Sequence, residues 1–373
     1  VRGRDTPGFT DGAPVLTSPA LQRTQFLLRR SESMTVSTPH DTDAPQPKFR
    51  KDYLPPNFMV DSVALEFDLE EEETIVRAKI AVVRSGAAGA PLVLNGEELE
   101  TLSVAVDGAS RSSDGYAVDG DELTIPDVPD RFTLETTVRI HPEKNTSLMG
   151  LYKSSGNFCT QCESEGFRRI TWFLDRPDVM ATYQVTLTAD RAKYPVLLSN
   201  GNRISQEDLG DGKHRVVWED PFKKPSYLFA VVAGDLHCHR GDFKTMTGRS
   251  IDLEIYVEPR DADKCEHALG SLQRSMKWDE EQFGLEYDLD LYMIVAVSDF
   301  NMGAMENKGL NVFNSKYVLA RVDTATDDDF EAVEAVIAHE YFHNWTGNRV
   351  TCRDWFQLTL KEGLTVYRAA RFT

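Results

Sequence analysis

The chain has 373 residues, with 60 Asp plus Glu against 41 Lys plus Arg and a formal net charge of −19. That acidic excess repels phosphate backbones and no local basic patch offsets it, so nucleic acid is not expected as a partner. With 41% apolar and 27% charged residues the composition suits a globular protein of two or three domains, and no apolar run approaches the ~20 residues of a membrane-spanning helix.

Residues 1–46 are rich in Ser, Thr, Pro and Gly, show no hydrophobic period, and carry Arg2, Arg4, Arg23, Arg29 and Arg30. They read as a disordered N-terminal extension, with a transit-peptide remnant as the alternative; Asp5 and Asp11 argue against the latter. The first residue is Val, which suggests a processed chain or a fragment. The five cysteines, an odd and low number, point to a reducing intracellular compartment. That is the cytoplasm, or a plastid or mitochondrion if residues 1–45 are a transit peptide. Cys159 and Cys162 have CxxC spacing but no second pair follows, so they are expected to be plain thiols.

Residues 47–236 carry strand signals. Val63, Leu65, Phe67 and Leu69 alternate with mostly polar neighbours, residues 70–73 form an acidic turn, and Val76, Ala78, Ile80 and Val82 return the pattern. This predicts an antiparallel hairpin with one buried face and a solvated turn. Similar runs at 102–106, 132–140, 183–187 and 214–218 extend the expectation to an antiparallel all-β sandwich.

Residues 237–373 change character. Cys265, Leu269, Leu272, Met276 and Phe283 lie at helical spacing and are predicted to face a core. Residues 291–297 form a continuous apolar run, expected of a strand buried on both faces. A helix is predicted to start near Thr326, capped by that hydroxyl with Asp329 three residues on, and helical character returns over 355–372.

His339-Glu340-Tyr-Phe-His343 is an HExxH motif on the capped helix. Histidines four residues apart lie one turn apart on one face, so both imidazoles can reach one metal. Glu362 follows His343 by 19 residues, in a second helical stretch. A carboxylate there completes a His₂Glu set suited to one Zn²⁺, with Glu340 placed to take a proton from a water. Gly303-Ala-Met-Glu306-Asn307 precedes the helix. An extra carboxylate beside a hydrolytic metal makes sense if the substrate brings a fixed positive charge such as a free α-amine. The His237-Cys-His239 triplet reads as a polar loop.

Met302-Gly-Ala-Met-Glu-Asn307, His339-Glu-Tyr-Phe-His-Asn-Trp-Thr-Gly-Asn-Arg349 and Leu360-Lys-Glu-Gly-Leu-Thr365 together resemble the zinc aminopeptidase N family, in its bacterial-type branch. Cys159-Thr-Gln-Cys-Glu163-Ser-Glu-Gly-Phe-Arg168 and Asp175-Arg-Pro-Asp178 fit the same branch. The resemblance implies an N-terminal β saddle or sandwich followed by a thermolysin-like α/β catalytic domain, here cut short at the C-terminus. It implies zinc on His339, His343 and Glu362, Glu340 as general base, and Glu163 and Glu306 on the α-amine of a peptide. Gln161 and Met302 would line the pocket for the first side chain. Gly303 and Ala304 would pair with the substrate backbone, and Met305 and Asn307 complete the substrate-binding stretch. The expected activity is removal of N-terminal residues by a monomeric enzyme. The alternatives are an endopeptidase of thermolysin type and a catalytically dead binding protein.

Two departures from the family pattern matter. The family carries an oxyanion-stabilising Tyr well beyond the third ligand, past the end of this sequence, and losing such a donor costs ~10²–10³ in rate. The 373 residues alone are therefore expected to be inactive. The family also usually has Asp where this chain has Ala369, at a position suited to support a zinc ligand. An artefact at the terminus is the favoured explanation.

Overall fold

In the computed structural model the described residues are 47–373; the transit-peptide reading falls on residues outside that range. The first hairpin forms as its alternation dictates. Phe58–Leu69 pairs antiparallel with Thr74–Arg84, and Val63, Leu65, Phe67, Leu69, Val76, Ala78, Ile80 and Val82 are all buried. Residues 70–73 are not merely solvated, however. Glu70 pairs with Lys213, Glu71 with Lys153 and Tyr194, and Glu73 with Arg139, so the turn is tied to three other strands, Lys213–Pro225, Gly150–Ser154 and Arg131–Ile140.

The hairpin sits in an eight-stranded sheet, and one pairing there departs from the antiparallel expectation. Phe58–Leu69 runs parallel to Met180–Asp190, with Leu65 opposite Val185 and Phe67 opposite Leu187. The sequence between these two strands builds other sheets before returning, so the return is a long crossover rather than a hairpin, which permits a parallel neighbour. A four-stranded sheet (Val196–Ser199, Val231–Gly234, Asn157–Gln161, Gly150–Ser154) contributes to the same core. Its last two strands form the hairpin that carries Gln161 towards Glu163.

The second part is built on a five-stranded sheet. Leu291–Val297 lies between Ser250–Val257 and Leu310–Asn314, parallel to both, and the short strand Ala304–Met305 closes one edge. The central strand is buried on both faces because each face meets a different core. Met293, Val295 and Val297 join the cluster of the β-rich part, and Tyr292, Ile294 and Ala296 join the cluster under the helices.

Three α-helices follow among the described residues: α1 (Glu266–Phe283), α2 (Asp327–Phe342) and α3 (Leu358–Phe372). Cys265, Leu269, Leu272 and Met276 are buried as their spacing requires, but Phe283 is 42% exposed. It is the last residue of α1, before Gly284 at φ 66°, and it leans on Trp278 instead of the core. The helix α2 begins with a capping box, Thr326 accepting from the Asp329 N–H while the Asp329 side chain accepts from the Thr326 N–H. Finally, α3 inverts the usual arrangement: Lys361, Thr365 and Arg368 are buried while Leu360, Leu364 and Tyr367 are exposed.

Candidate metal centre and anionic pocket

Capping and helix geometry bring His339 and His343 together at the end of α2. Their Nε2 atoms are 3.0 Å apart, and Glu362 Oε2 from α3 lies 3.5 Å from each. Tetrahedral zinc with ligand distances of about 2.0–2.2 Å places its ligand atoms about 3.3–3.6 Å apart, so the triangle fits one ion. The tautomer fits too. His343 Nδ1 lies 2.9 Å from the Thr346 carbonyl, to which it must donate, and this leaves the lone pair on Nε2. Burial opposes a charge on His343, yet Glu306 and Glu362 outweigh it and push the ring up to about 9, the response of a ring whose surroundings call for a cation.

The loop after α2 is shaped around that ring. Thr365 Oγ1 lies 3.2 Å from His343 Nδ1 and donates to the Thr346 carbonyl at 2.9 Å. Gly347 has φ 152°, and a Cβ there would sit 2.7 Å from His343 Nδ1. Arg368 donates to the Phe342 carbonyl at the end of α2 and pairs with the buried Asp279 of α1. Ala369, where the family pattern has Asp, packs against the helical core.

Glu340 is buried beside the triangle, and one of its carboxylate oxygens has no partner among the described residues. Burial, with Glu306 adding repulsion, raises its carboxyl to about 8 against the pull of His343 and Lys361. A carboxyl held in that range can take up and release a proton near neutrality.

Beyond the triangle Glu163, Glu306 and Glu362 converge, a carboxylate oxygen of each lying within 4.8 Å of the others. The sequence reading overlooked what makes this tolerable. Lys361 Nζ lies 2.9 Å from Glu163, 2.5 Å from Glu306 and 2.6 Å from Glu362. Burial works against the ammonium, but the three carboxylates hold its pKa well above the ordinary lysine value. Burial pushes Glu163 to about 7, with Glu306 adding to the rise and Lys361 opposing it. Burial also works against Glu306, but His343 and Lys361 outweigh it and hold that carboxyl below its usual range.

The remaining sequence-predicted residues gather round this pocket. Gln161 is fully buried and its Nε2 donates to the Glu163 carbonyl and, at 3.4 Å, to Met302 Sδ. Ala304 and Met305 pair with Phe313 and Val312 on one side only, because their strand ends the sheet. An unpaired strand edge can accept another extended chain. Gly303 leaves that approach open, since a Cβ there would meet nothing closer than the Tyr317 ring at 3.5 Å. The Met305 side chain is buried in the core, which leaves its backbone to serve the edge. Asn307 is fully buried with both amide atoms unpartnered among the described residues, and Asn348 fixes the Glu306 carbonyl at 2.8 Å.

Other sequence candidates lie elsewhere. His237, Cys238 and His239 are on the edge strand His237–Lys244 rather than in a loop, where alternation turns Cys238 away from both histidines. Cys159 and Cys162 are fully buried free thiols, and burial pushes Cys159 up to about 12, which makes it a poor metal ligand. Among the described residues no helix is long and apolar enough to cross a membrane.

Comparison with known proteins follows the same division of the chain. Residues 60–228 match the peptidase M1 N-terminal domain and residues 267–373 match the peptidase family M1 domain. Such a pairing defines an M1 peptidase scaffold. Aminopeptidase N of Escherichia coli (strain K12) is 56% identical over 332 residues, covering 89% of this chain and 38% of that protein. Aminopeptidase N of Caulobacter vibrioides is 57% identical over 327 residues, covering 88% and 38%. The crystal structure of Legionella pneumophila aminopeptidase A in complex with aspartic acid superposes with a TM-score of 0.84 at 41% identity, covering 86% of this chain and 38% of that one. The chain belongs to the zinc aminopeptidase N family. It spans about 38% of the length of the relatives it matches.

Proposed function

We propose that the protein is a zinc aminopeptidase that releases the first residue of peptides with a free N-terminal amine. The observation that carries this reading is the adjacency of two features: a His339–His343–Glu362 triangle of one-metal size and, beside it, a buried pocket with Glu163 and Glu306. A bare metal triangle suits any HExxH hydrolase. The carboxylates add a recess in which an ammonium is favoured and a neutral amide is not, because the single Lys361 ammonium faces three carboxylates and a blocked chain end brings no second positive charge to them.

In this reading His339, His343 and Glu362 hold one zinc ion per chain, which supplies a Lewis acid that acidifies water and polarises a carbonyl. Glu163 and Glu306 take the α-amine, sharing it with Lys361 as the counter-charge already present. The free edge at Gly303, Ala304 and Met305 aligns the peptide, and Asn307 supports that stretch. Glu340 takes a proton at its carboxylate and delivers it to the departing amine. Anchoring of the amine fixes which bond is cut, so cleavage falls after the first residue. The division into a β domain over 47–236 and a catalytic domain from 237, and a monomeric state, belong to the same proposal.

A free peptide and its N-acetylated form separate this from endopeptidase action. The zinc-loaded full-length polypeptide is expected to cut only the free form, while residues 1–373 alone are expected to be inactive, and Glu340→Gln in the full-length polypeptide is expected to lose about 10²–10⁴ in kcat while retaining zinc. Equal cleavage of both peptides would refute the amine pocket. A zinc-loaded full-length polypeptide that turns over neither would favour a binding role.

A further inference from the structure

The two side chains assigned to the first-residue pocket come from separate parts of the fold. Gln161 ends the strand Asn157–Gln161, and Met302 lies on residues 298–303, the connection between Leu291–Val297 and Ala304–Met305. Met302 itself is 43% exposed, so packing alone does not hold it. Its segment is held instead at Asp299.

The Asp299 N–H donates to Ser154 Oγ at 2.9 Å, and Ser154 Oγ donates back to Asp299 Oδ2 at 2.9 Å. Tyr152 OH donates to the Asp299 carbonyl at 2.9 Å. Tyr152 and Ser154 are buried and two residues apart on the strand Gly150–Ser154, so their hydroxyls address the same side of it. That strand pairs directly with the one that ends in Gln161, Gly150 standing opposite Gln161. Phe300 then enters the core of the β-rich part, and the Gly303 carbonyl accepts from the Asn314 N–H at 2.9 Å. Asn301 and Met302 thus lie between two fixed points, one of them bonded to the hairpin that carries the opposite wall, and across the gap Met302 Sδ accepts a long 3.4 Å bond from Gln161 Nε2.

We propose that Tyr152, Ser154 and Asp299 form a clamp that sets the spacing between Gln161 and Met302, and with it the range of first residues accepted. This deepens the aminopeptidase reading and rests on it. The three are positioning residues: none is offered as touching substrate, and each acts through the backbone of residues 298–303. Losing Ser154 removes two of the three bonds and losing the Asp299 carboxylate removes one, so either loosens the wall while Tyr152 still holds the Asp299 carbonyl.

The test measures kcat and KM for a series of aminoacyl-arylamides with small, long basic and aromatic first residues, on the zinc-loaded full-length polypeptide as wild type, Asp299→Ala, Ser154→Ala and Asp299→Asn. Both alanine variants are expected to change the ratio of kcat/KM between aromatic and small first residues about tenfold, chiefly through KM, with zinc content unchanged. Asp299→Asn keeps an acceptor for Ser154 and is expected to restore the wild-type ratio. Hydrogen exchange over residues 298–303 is expected to quicken in Asp299→Ala and not in Asp299→Asn. An unchanged ratio in a wild type that turns over arylamides, or unchanged exchange in Asp299→Ala, overturns the clamp. A wild type that turns over none of the series while exchange still quickens refutes the aminopeptidase reading, not the anchor.

Discussion

Arg368→Met isolates the bracing of the candidate metal helix from its chemistry. The guanidinium is buried, pairs with Asp279, donates to the Phe342 carbonyl at 3.0 Å and to Thr346 Oγ1 at 3.1 Å, and lies 5.0 Å from the Phe283 and Phe342 ring centres. Methionine replaces the apolar stem but strands the Asp279 carboxylate, whose other oxygen has no partner either. Breaking one side of a buried pair costs about 3–5 kcal/mol, a large share of a typical 5–15 kcal/mol total. Removing both charges, in Arg368→Met with Asp279→Leu, costs about 1 kcal/mol or less, well short of the sum of the two single losses. The sign with pH follows from Asp279. Burial already raises its carboxyl above the free value, and Arg368 is what pulls it down. Without Arg368 the folded pKa lies further above the unfolded one, so in the variant the stability tied to protonated Asp279 is present at low pH and is lost as pH rises. Urea unfolding followed by tryptophan fluorescence suits the measurement, because Trp278 packs against Phe283, Phe342 and Phe372. The deficit is expected to be larger at pH 8 than at pH 4. A loss under ~1 kcal/mol, or a double variant as unstable as the sum of the singles, would refute the assignment.

Thr365→Val removes the hydroxyl that meets His343 Nδ1 and the Thr346 carbonyl; zinc affinity measured by chelator competition is expected to fall about 10–100-fold. Gly347→Ala places a methyl 2.7 Å from His343 Nδ1 at a φ of 152°; it is expected to cost about 1–3 kcal/mol in urea and to weaken zinc as well. Glu71 is held down to about 2 by the Lys153 ammonium and then by the Tyr194 hydroxyl. Its stabilisation is therefore present above the unfolded carboxylate value and lost as pH falls towards about 2; at 44% exposure it amounts to no more than about 1 kcal/mol. Glu71→Gln is expected to lower stability by that much at pH 7 and to converge with wild type near pH 2.

What the sequence disclosed follows from how local each signal is. The hairpin from Phe58 to Arg84 and the cap of α2 depend on neighbours a few residues apart, and both appear where their patterns place them. The strand Asn202–Gly210 left no pattern because it is an exposed sheet edge with no buried face to alternate against. The parallel neighbour of the first strand was equally silent, since side-chain alternation is the same in parallel and antiparallel pairs. Phe283 misled because spacing extends a helical stripe to its last residue without saying where the core stops. His339, Glu340, His343 and Glu362 were legible because one turn of helix and one carboxylate suffice to describe the triangle; Thr365 and Gly347 were not, because their part is to fit the outline of a ring already in place.

Lys361 shows why polarity misreads the inner face of α3. A lysine on a helix is ordinarily assigned to solvent, since burying an ammonium alone is prohibitive. Three carboxylates converging round one buried point are costly too, and each anomaly offsets the other: Lys361 is tolerable because Glu163, Glu306 and Glu362 surround it, and their mutual repulsion is tolerable because it does. The stripe Lys361, Thr365 and Arg368, at i, i+4 and i+7, is the legible trace. It has the helical period, with polar residues where apolar ones are usual and Leu360, Leu364 and Tyr367 displaced to the exposed side. A helix with that reversed pattern beside a metal motif is better read as turned towards a charged site than as a surface helix.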